Sequence, residues 1–246
     1  MQIKHLFSSH SKQYATFRPT YPKGLYDFVF KHVKKFETAW DCGTGNGQVA
    51  RDLSPKFKKV QATDISANQL ANAYQAENIF YSAAGEETIF PDRQFDLITV
   101  AQAIHWFDIS KFYTEVSRVA REDAILAIWG YSLLSINPEI DTILKHFYTE
   151  IVGTYWDKER KLIDEQYKTI PFPYDELQTP EFKFSLTWTL EEFRGYISTW
   201  SAVQKYIRAN KIDPVDNFIK QILPFWKSPK LTVSFPLFLR LGKVSR

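Results

Sequence analysis

The chain has 246 residues, of which 44% are hydrophobic and 24% charged, with a formal net charge of +3. That length suits one α/β domain with an insertion or two small units, and the apolar share is enough for a buried core, which excludes a disordered or fibrous chain. A single cysteine, Cys42, excludes an internal disulfide and fits a reducing compartment. Residues 2–18 are polar and basic rather than apolar like a secretion signal, and no run of about 18 apolar residues could cross a membrane. A cytoplasmic protein, monomeric or weakly dimeric, is the expectation.

A helix is predicted over 22–36, leading into a first strand at Ala39-Trp40. Residues 41–47 read Asp-Cys-Gly-Thr-Gly-Asn-Gly, and a helix-like segment follows from Gln48 to Leu53. A glycine-rich turn between strand and helix predicts free backbone N–H groups at the helix start, a site for a nucleotide-like ligand. The spacing is G-x-G-x-G. A dinucleotide site spaces its glycines G-x-G-x-x-G/A, which would put the third small residue at Gln48. Asp41 at the mouth suits a ligand carrying an ammonium group better than a diphosphate. The basic clusters Lys31–Lys35 and Lys56–Lys59 each precede a strand. They read as solvated helix ends favoured by the macrodipole, not as a nucleic-acid surface.

Lys59–Asp64 is the second strand candidate. It ends on an acid about 20 residues beyond the first glycines, the place from which a carboxylate accepts ribose hydroxyls. Ser66 fits the N-cap of the next helix. Ile79–Ala83 and Phe95–Val100 read as the third and fourth strands. The fourth runs into Ala101-Gln102-Ala103-Ile104-His105-Trp106-Phe107-Asp108, at the carboxyl end of a central strand, where open α/β sheets bind ligands. Asp123–Trp129 reads as the fifth strand. Helical periodicity returns over 138–168, Pro171-Phe172-Pro173 breaks it, and Phe182–Trp188 alternates as a strand. A further helix over 190–207 has Thr189 and Glu192 at capping-box spacing. Val233–Leu241 alternates as a last strand. No zinc-ligand spacing appears.

On Asp41 to Gly47 the chain resembles the class I S-adenosylmethionine-dependent methyltransferases, whose first motif is D/E-x-G-x-G-x-G. Asp64-Ile65-Ser66 with Leu70, and Phe95-Asp96-Leu97-Ile98, are similar to later motifs of that family. Ala101–Asp108 resembles a narrower branch of trans-aconitate methyltransferase-like proteins. The segment His10–Pro22 is similar to one that folds over the cofactor in those enzymes. The resemblance implies S-adenosylmethionine as cofactor, with contacts from Tyr14, Arg18, Asp41, Gly43, Thr44, Gly45, Gln102 and Ala103. It implies that Asp64 binds the ribose and Ile65 packs on the adenine. Ala84 stands where many members carry an acid, which moves adenine recognition to main-chain groups around Ala84 and Gly85, with Glu86 following.

The fold implied is α/β and Rossmann-like: a seven-stranded, mostly parallel sheet with one antiparallel strand, helices on both faces and a helical lid. Residues 1–130 would supply the N-terminal lid segment and the cofactor core. Residues 131–246 would supply lid insertions and the last strands of the same domain. The activity implied is transfer of a methyl group by in-line displacement to a small molecule, a carboxylate or other small acid among the options. His105 is the candidate general base, because its ordinary pKa lies near neutrality. Trp106, Trp156, Tyr167 and Trp200 are candidate walls for the acceptor. Arg160 and Arg194 are candidates to receive a small anion. Two other readings stay open: an RNA or protein methyltransferase of the same fold, and a non-catalytic nucleotide-binding module, with Gln48 arguing against NAD.

Overall fold

The structure is a computed structural model that describes residues 19–245. Tyr14 and Arg18, expected at the cofactor, lie outside the described residues. Five strands run parallel: β1 (Thr38–Cys42), β2 (Lys59–Asp64), β3 (Ile79–Ala83), β4 (Phe95–Ala101) and β5 (Ala120–Tyr131). Three more complete the sheet: β6 (Asp175–Leu177), β7 (Phe182–Trp188) and β8 (Leu231–Lys243). The order is β3-β2-β1-β4-β5-β8-β6, with β7 also paired to β8. The sheet therefore has eight strands, not the expected seven. The extra one arises because β8 offers its outer edge twice. Its first half pairs with β7 from Leu231 to Leu237 and its last residues with β6 from Leu241 to Lys243. β8 is antiparallel to β5, β6 and β7, so it alone runs against the parallel set.

The central strands are apolar throughout because both faces are covered. Alternate residues point to opposite sides, and the core divides accordingly. Ala39, Leu97 and Trp129 face one cluster, Trp40, Ile98 and Leu126 the other. The first cluster takes in α1 (Lys23–His32) and α2 (Gln48–Leu53), the second α4 (Ile109–Val119). A short α3 (Ala67–Ala71) follows β2, with Ser66 as its cap: the Ser66 hydroxyl accepts from Gln69 N at 3.4 Å. Asp108 caps α4 by accepting from Ser110 N and Lys111 N.

Beyond β5 the chain is mostly helical, the segment expected to serve as a lid. α5 (Pro138–His146) passes into a π-turn over Phe147–Ile151, and α6 (Arg160–Asp164) follows. The single helix expected over 138–168 is thus broken. The later helix is also two: α7 (Leu190–Ser198) and α8 (Ser201–Asn210), separated by Trp200 in an extended conformation with its side chain buried. Thr189 and Glu192 form the capping box that their spacing predicts. α9 (Pro214–Ile222) packs on this helical segment, with Phe218 stacked on Phe147 at 4.5 Å between ring centres. Among the described residues no helix is long and apolar enough to cross a membrane.

Candidate active site

Strand order reverses between β1 and β4, and a crevice forms outside their carboxyl ends. Gly43, Gly45 and Gly47 follow β1 with φ of 72°, 57° and 79°, the left-handed region that favours glycine. Their amides are not free. Gly43 N and Thr44 N both donate to Thr63 O at 2.9 Å, Gly45 N to Asp64 Oδ2 at 2.9 Å, and Gly47 N to Thr44 O at 3.0 Å. This pairing takes up the amides of the turn itself; of those at the helix start, that of Ala50 turns to the Asp41 carboxylate. β1 and β2 end in register, Cys42 beside Thr63, so the turn after β1 closes on the end of β2. The glycine amides are therefore not available to a phosphate.

Two carboxylates flank the turn. Asp41 is 1% exposed and accepts from Thr44 Oγ1 at 2.5 Å and Thr99 Oγ1 at 2.9 Å. Burial pushes its pKa up to about 6, against the pull of these hydroxyl hydrogen bonds. Among the described residues no Lys or Arg pairs with it. A buried carboxylate in that state gains from a cation brought by a ligand. Asp64 accepts from Gly45 N through Oδ2 and from Ser66 N through Oδ1 at 2.8 Å, and burial raises its pKa as well. Each oxygen keeps lone pairs for further donors.

A cavity of about 410 Å³ opens between these groups. The structure brings together at its wall Asp41, Gly43, Thr44, Gly45, Asp64, Ile65, Ala84, Gly85, Glu86, Gln102, Ala103 and Trp106. It adds Tyr74 and Tyr131, which lie outside the motifs, and Pro19, Tyr21, Gln48 and Phe107, which the motifs contain or adjoin without a role being assigned to them. Gln48 Nε2 donates to Pro19 O at 2.9 Å and so ties the cavity rim to α2. Gln102 adopts φ 53°, with its N bonded to Trp129 O at 2.9 Å and its Nε2 to Tyr131 O at 3.2 Å. Glu86 accepts from Asp108 N at 3.2 Å. Cys42 is fully buried and burial raises its thiol pKa, so it is chemically inert there. Among the described residues no group of three or more His, Cys, Asp and Glu could hold a metal.

His105 is 7% exposed and does not line the cavity, although its neighbour Trp106 does. Its Nδ1 lies 2.8 Å from the Tyr167 hydroxyl, and the two rings stack. Burial first, and the charge of Arg160 second, press its pKa down to about 3. A general base works best with a pKa near the operating pH, so this geometry speaks against that role for His105. Tyr167 is fully buried and arrives through a tight turn in which Gln166 and Tyr167 have φ 56° and 58°. Left-handed backbone of this kind costs roughly 1–3 kcal/mol per residue and persists where surrounding contacts hold it. Arg240 supplies them, donating through Nη1 to Tyr167 O at 2.9 Å and Ile170 O at 2.5 Å.

Trp156, Arg160 and Trp200 form one lid cluster. Arg160 Nε donates to Tyr148 Oη at 2.7 Å, and its guanidinium lies 4.8 Å from the centre of the Trp156 ring. Trp156 meets Trp200 at 5.6 Å. α6 packs against the turn that carries His105. None of Trp156, Arg160, Tyr167 and Trp200 lines the cavity itself; Tyr167 meets His105, and the charge of Arg160 bears on it. Arg194 is elsewhere, in an exposed pair with Asp216 at 2.5 Å. The basic clusters sit at the amino ends of the strands, away from the cavity, where Lys34 pairs with Asp123 and Lys58 with Glu37.

Residues 40–128 match a family model described as a methyltransferase domain. A Dictyostelium discoideum protein that carries the name methyltransferase is 35% identical over 247 residues, spanning 96% of this chain and 94% of that one. A Saccharomyces cerevisiae protein named as an S-adenosylmethionine-dependent methyltransferase is 26% identical, spanning 86% of each. Among solved structures, that of a type II methyltransferase from Anaeromyxobacter dehalogenans superposes with a TM-score of 0.86 at 33% identity, covering 93% of this chain and 98% of that one.

Proposed function

Since the chain belongs to the class I S-adenosylmethionine-dependent methyltransferases, we propose that it passes the methyl group to a small organic molecule, a small acid, held under the helical lid. The cofactor supplies an electrophilic methyl group on a sulfonium. Asp64 receives the ribose hydroxyls on its unused lone pairs. Ile65 and Gly85 border the adenine. Asp41 offers its charge to the ammonium end. The fit rests on the closed glycine amides and on a buried carboxylate that lacks a cation.

One observation carries the acceptor reading. The lid beside Trp106 and His105 is an aromatic cluster with a single guanidinium, that of Arg160, rather than a basic groove suited to RNA. Aromatic walls exclude water and hold a small acceptor in line, and such placement can lower the barrier by about 7–11 kcal/mol. With His105 neutral and tied to Tyr167, an acceptor atom that has no proton to lose, such as a carboxylate oxygen, suits the site. The resemblance of Ala101–Asp108 to the trans-aconitate branch supports the same class. Incubating the protein and S-adenosylmethionine with panels of small acids, amines and phenols, and weighing the products, should give methylated acids. Methyl incorporation confined to RNA or protein would overturn the reading.

Asp41 gives a second expectation. Its pKa is about 6 without a ligand, and a neighbouring ammonium favours the ionised form. Binding below that pH must first remove the proton. The affinity for S-adenosylhomocysteine should therefore fall as pH drops from about 7 to 5, approaching tenfold per unit below the midpoint. Calorimetry across this range tests it, with Asp41→Asn as the variant that loses the dependence. A flat profile in the unsubstituted protein would show that Asp41 does not meet a cation.

A further inference from the structure

The following rests on the reading of the lid as the acceptor site. The Tyr167 hydroxyl is fully buried, and His105 Nδ1 is its one hydrogen-bond partner among the described residues. A buried hydroxyl whose proton finds no acceptor bears the whole desolvation cost. The phenolic proton therefore points at Nδ1, and the ring nitrogen accepts. A neutral imidazole that accepts at Nδ1 carries its own proton on Nε2. Nε2 has no partner among the described residues.

Arg160 is in the same position. Of its five N–H donors, the one on Nε goes to Tyr148 Oη, with Asp164 further away at 3.5 Å. Neither Nη group has a hydrogen-bond partner among the described residues. The rings of Tyr148 and Trp156 flank the guanidinium. α6, which starts at Arg160, packs on the turn bearing His105, and the Arg160 charge bears on both His105 and Tyr167. Trp106, whose ring centre is 4.9 Å from that of His105, connects this corner with the cavity wall.

We propose that His105 Nε2–H and the Arg160 Nη groups form a paired donor site for a carboxylate of the methyl acceptor, and that Tyr167 is the positioning residue that fixes His105 as a donor. A carboxylate has about four lone-pair sites, so two donors hold and orient it while leaving others open. The two left-handed residues and the Arg240 clamp have the effect of seating the Tyr167 hydroxyl on His105. The groups facing His105 that bear on its protonation are Tyr167 and Arg160, from the turn after α6 and from α6 itself.

Nitrogen-15 spectra of the imidazole rings in the full chain bound to S-adenosylhomocysteine test the tautomer, with His105 assigned through His105→Gln. The expected result is an unprotonated Nδ1 and a protonated Nε2, unchanged from about pH 5 to pH 8. In Tyr167→Phe a population protonated on Nδ1 should appear. Benzoate, used as the carboxylate probe, should shift the His105 Nε2–H signal, and the neutral benzamide should not. Benzoate affinity should drop at least tenfold in Arg160→Gln and in His105→Leu. It should survive in His105→Gln, whose side-chain amide nitrogen stands in for Nε2 as a donor. A His105 that titrates near its ordinary pKa, a proton on Nδ1, or equal benzoate binding by Arg160→Gln would each overturn the proposal. If the acceptor screen yields methylated amines or phenols and no acids, the carboxylate site fails while the small-molecule reading stands. Methylation confined to RNA or protein removes both.

Discussion

Gly43→Ala is expected to destabilise the protein by roughly 2–5 kcal/mol, and Gly45→Ala by only about 1–2 kcal/mol. Both glycines lie in the left-handed region, with φ of 72° and 57°, so both substitutions meet the backbone penalty. They differ in what the new methyl group would touch. A Cβ at Gly43 would stand 2.5 Å from the Cβ of Ala103 and 3.3 Å from Phe107 Cζ, whereas nothing lies within 4 Å of one at Gly45. The turns after β1 and β4 are pressed together at Gly43, and neither can retreat, since Gly43 N is bonded to β2 and Gln102 N to β5. Overpacking of this kind adds roughly 1–3 kcal/mol. Urea titration of the two variants side by side measures the gap. Equal losses would mean that the turns move apart freely and that the close approach has no role in shaping the cavity.

Asp64→Ala should weaken S-adenosylhomocysteine binding by about 10- to 150-fold, the equivalent of roughly 1.5–3 kcal/mol for hydrogen bonds to a charged group. The carboxylate has a second job, since it already accepts from Gly45 N and Ser66 N. Its removal leaves both amides without their partner and loosens the turn on which the ribose rests. Asp64→Asn keeps one acceptor for these amides and gives up the charge, so its loss should be smaller. Calorimetry on both variants, with circular dichroism to show that they are folded, separates the two jobs. Cofactor affinity unchanged in a folded Asp64→Ala would reduce Asp64 to a brace of the turn.

Most of the cavity wall was legible because its residues are close in sequence to the strand ends that position them. β2, β3 and β7 have the bounds that alternation and apolar runs predict, and the capping box at Thr189 was readable from two residues. β6 was not. Asp175 and Glu176 are exposed and polar, and the three residues belong to the sheet only because β8 has an edge left to offer. The breaks in the lid helices were hidden for a similar reason. The buried indole of Trp200 makes the extended break there useful, and the partners that reward its burial lie far along the chain. The change in the reading of His105 shows the same limit at the site. Its partner Tyr167 is 62 residues away, and no local pattern says that a histidine will be held through Nδ1 against a buried phenol. The partners of the Gly43 and Gly45 amides, Thr63 O and Asp64 Oδ2, were equally hidden, because they belong to the neighbouring strand.

β8 joins β5 on one edge to β6 and β7 on the other, and it is made after each of the strands it pairs with. Until residue 231 and those after it are made, β5 presents an unpaired outer edge, and β6 and β7 have no strand partner at all. The nascent chain therefore holds a nearly finished cofactor half and a set of lid helices with nothing to dock their strand against. Their union waits for pairings of large sequence separation, the slow kind, which are made late and all at once along one strand. During synthesis that open edge is the place most exposed to wrong pairing, and the thirteen residues of β8 act as the zip that closes it.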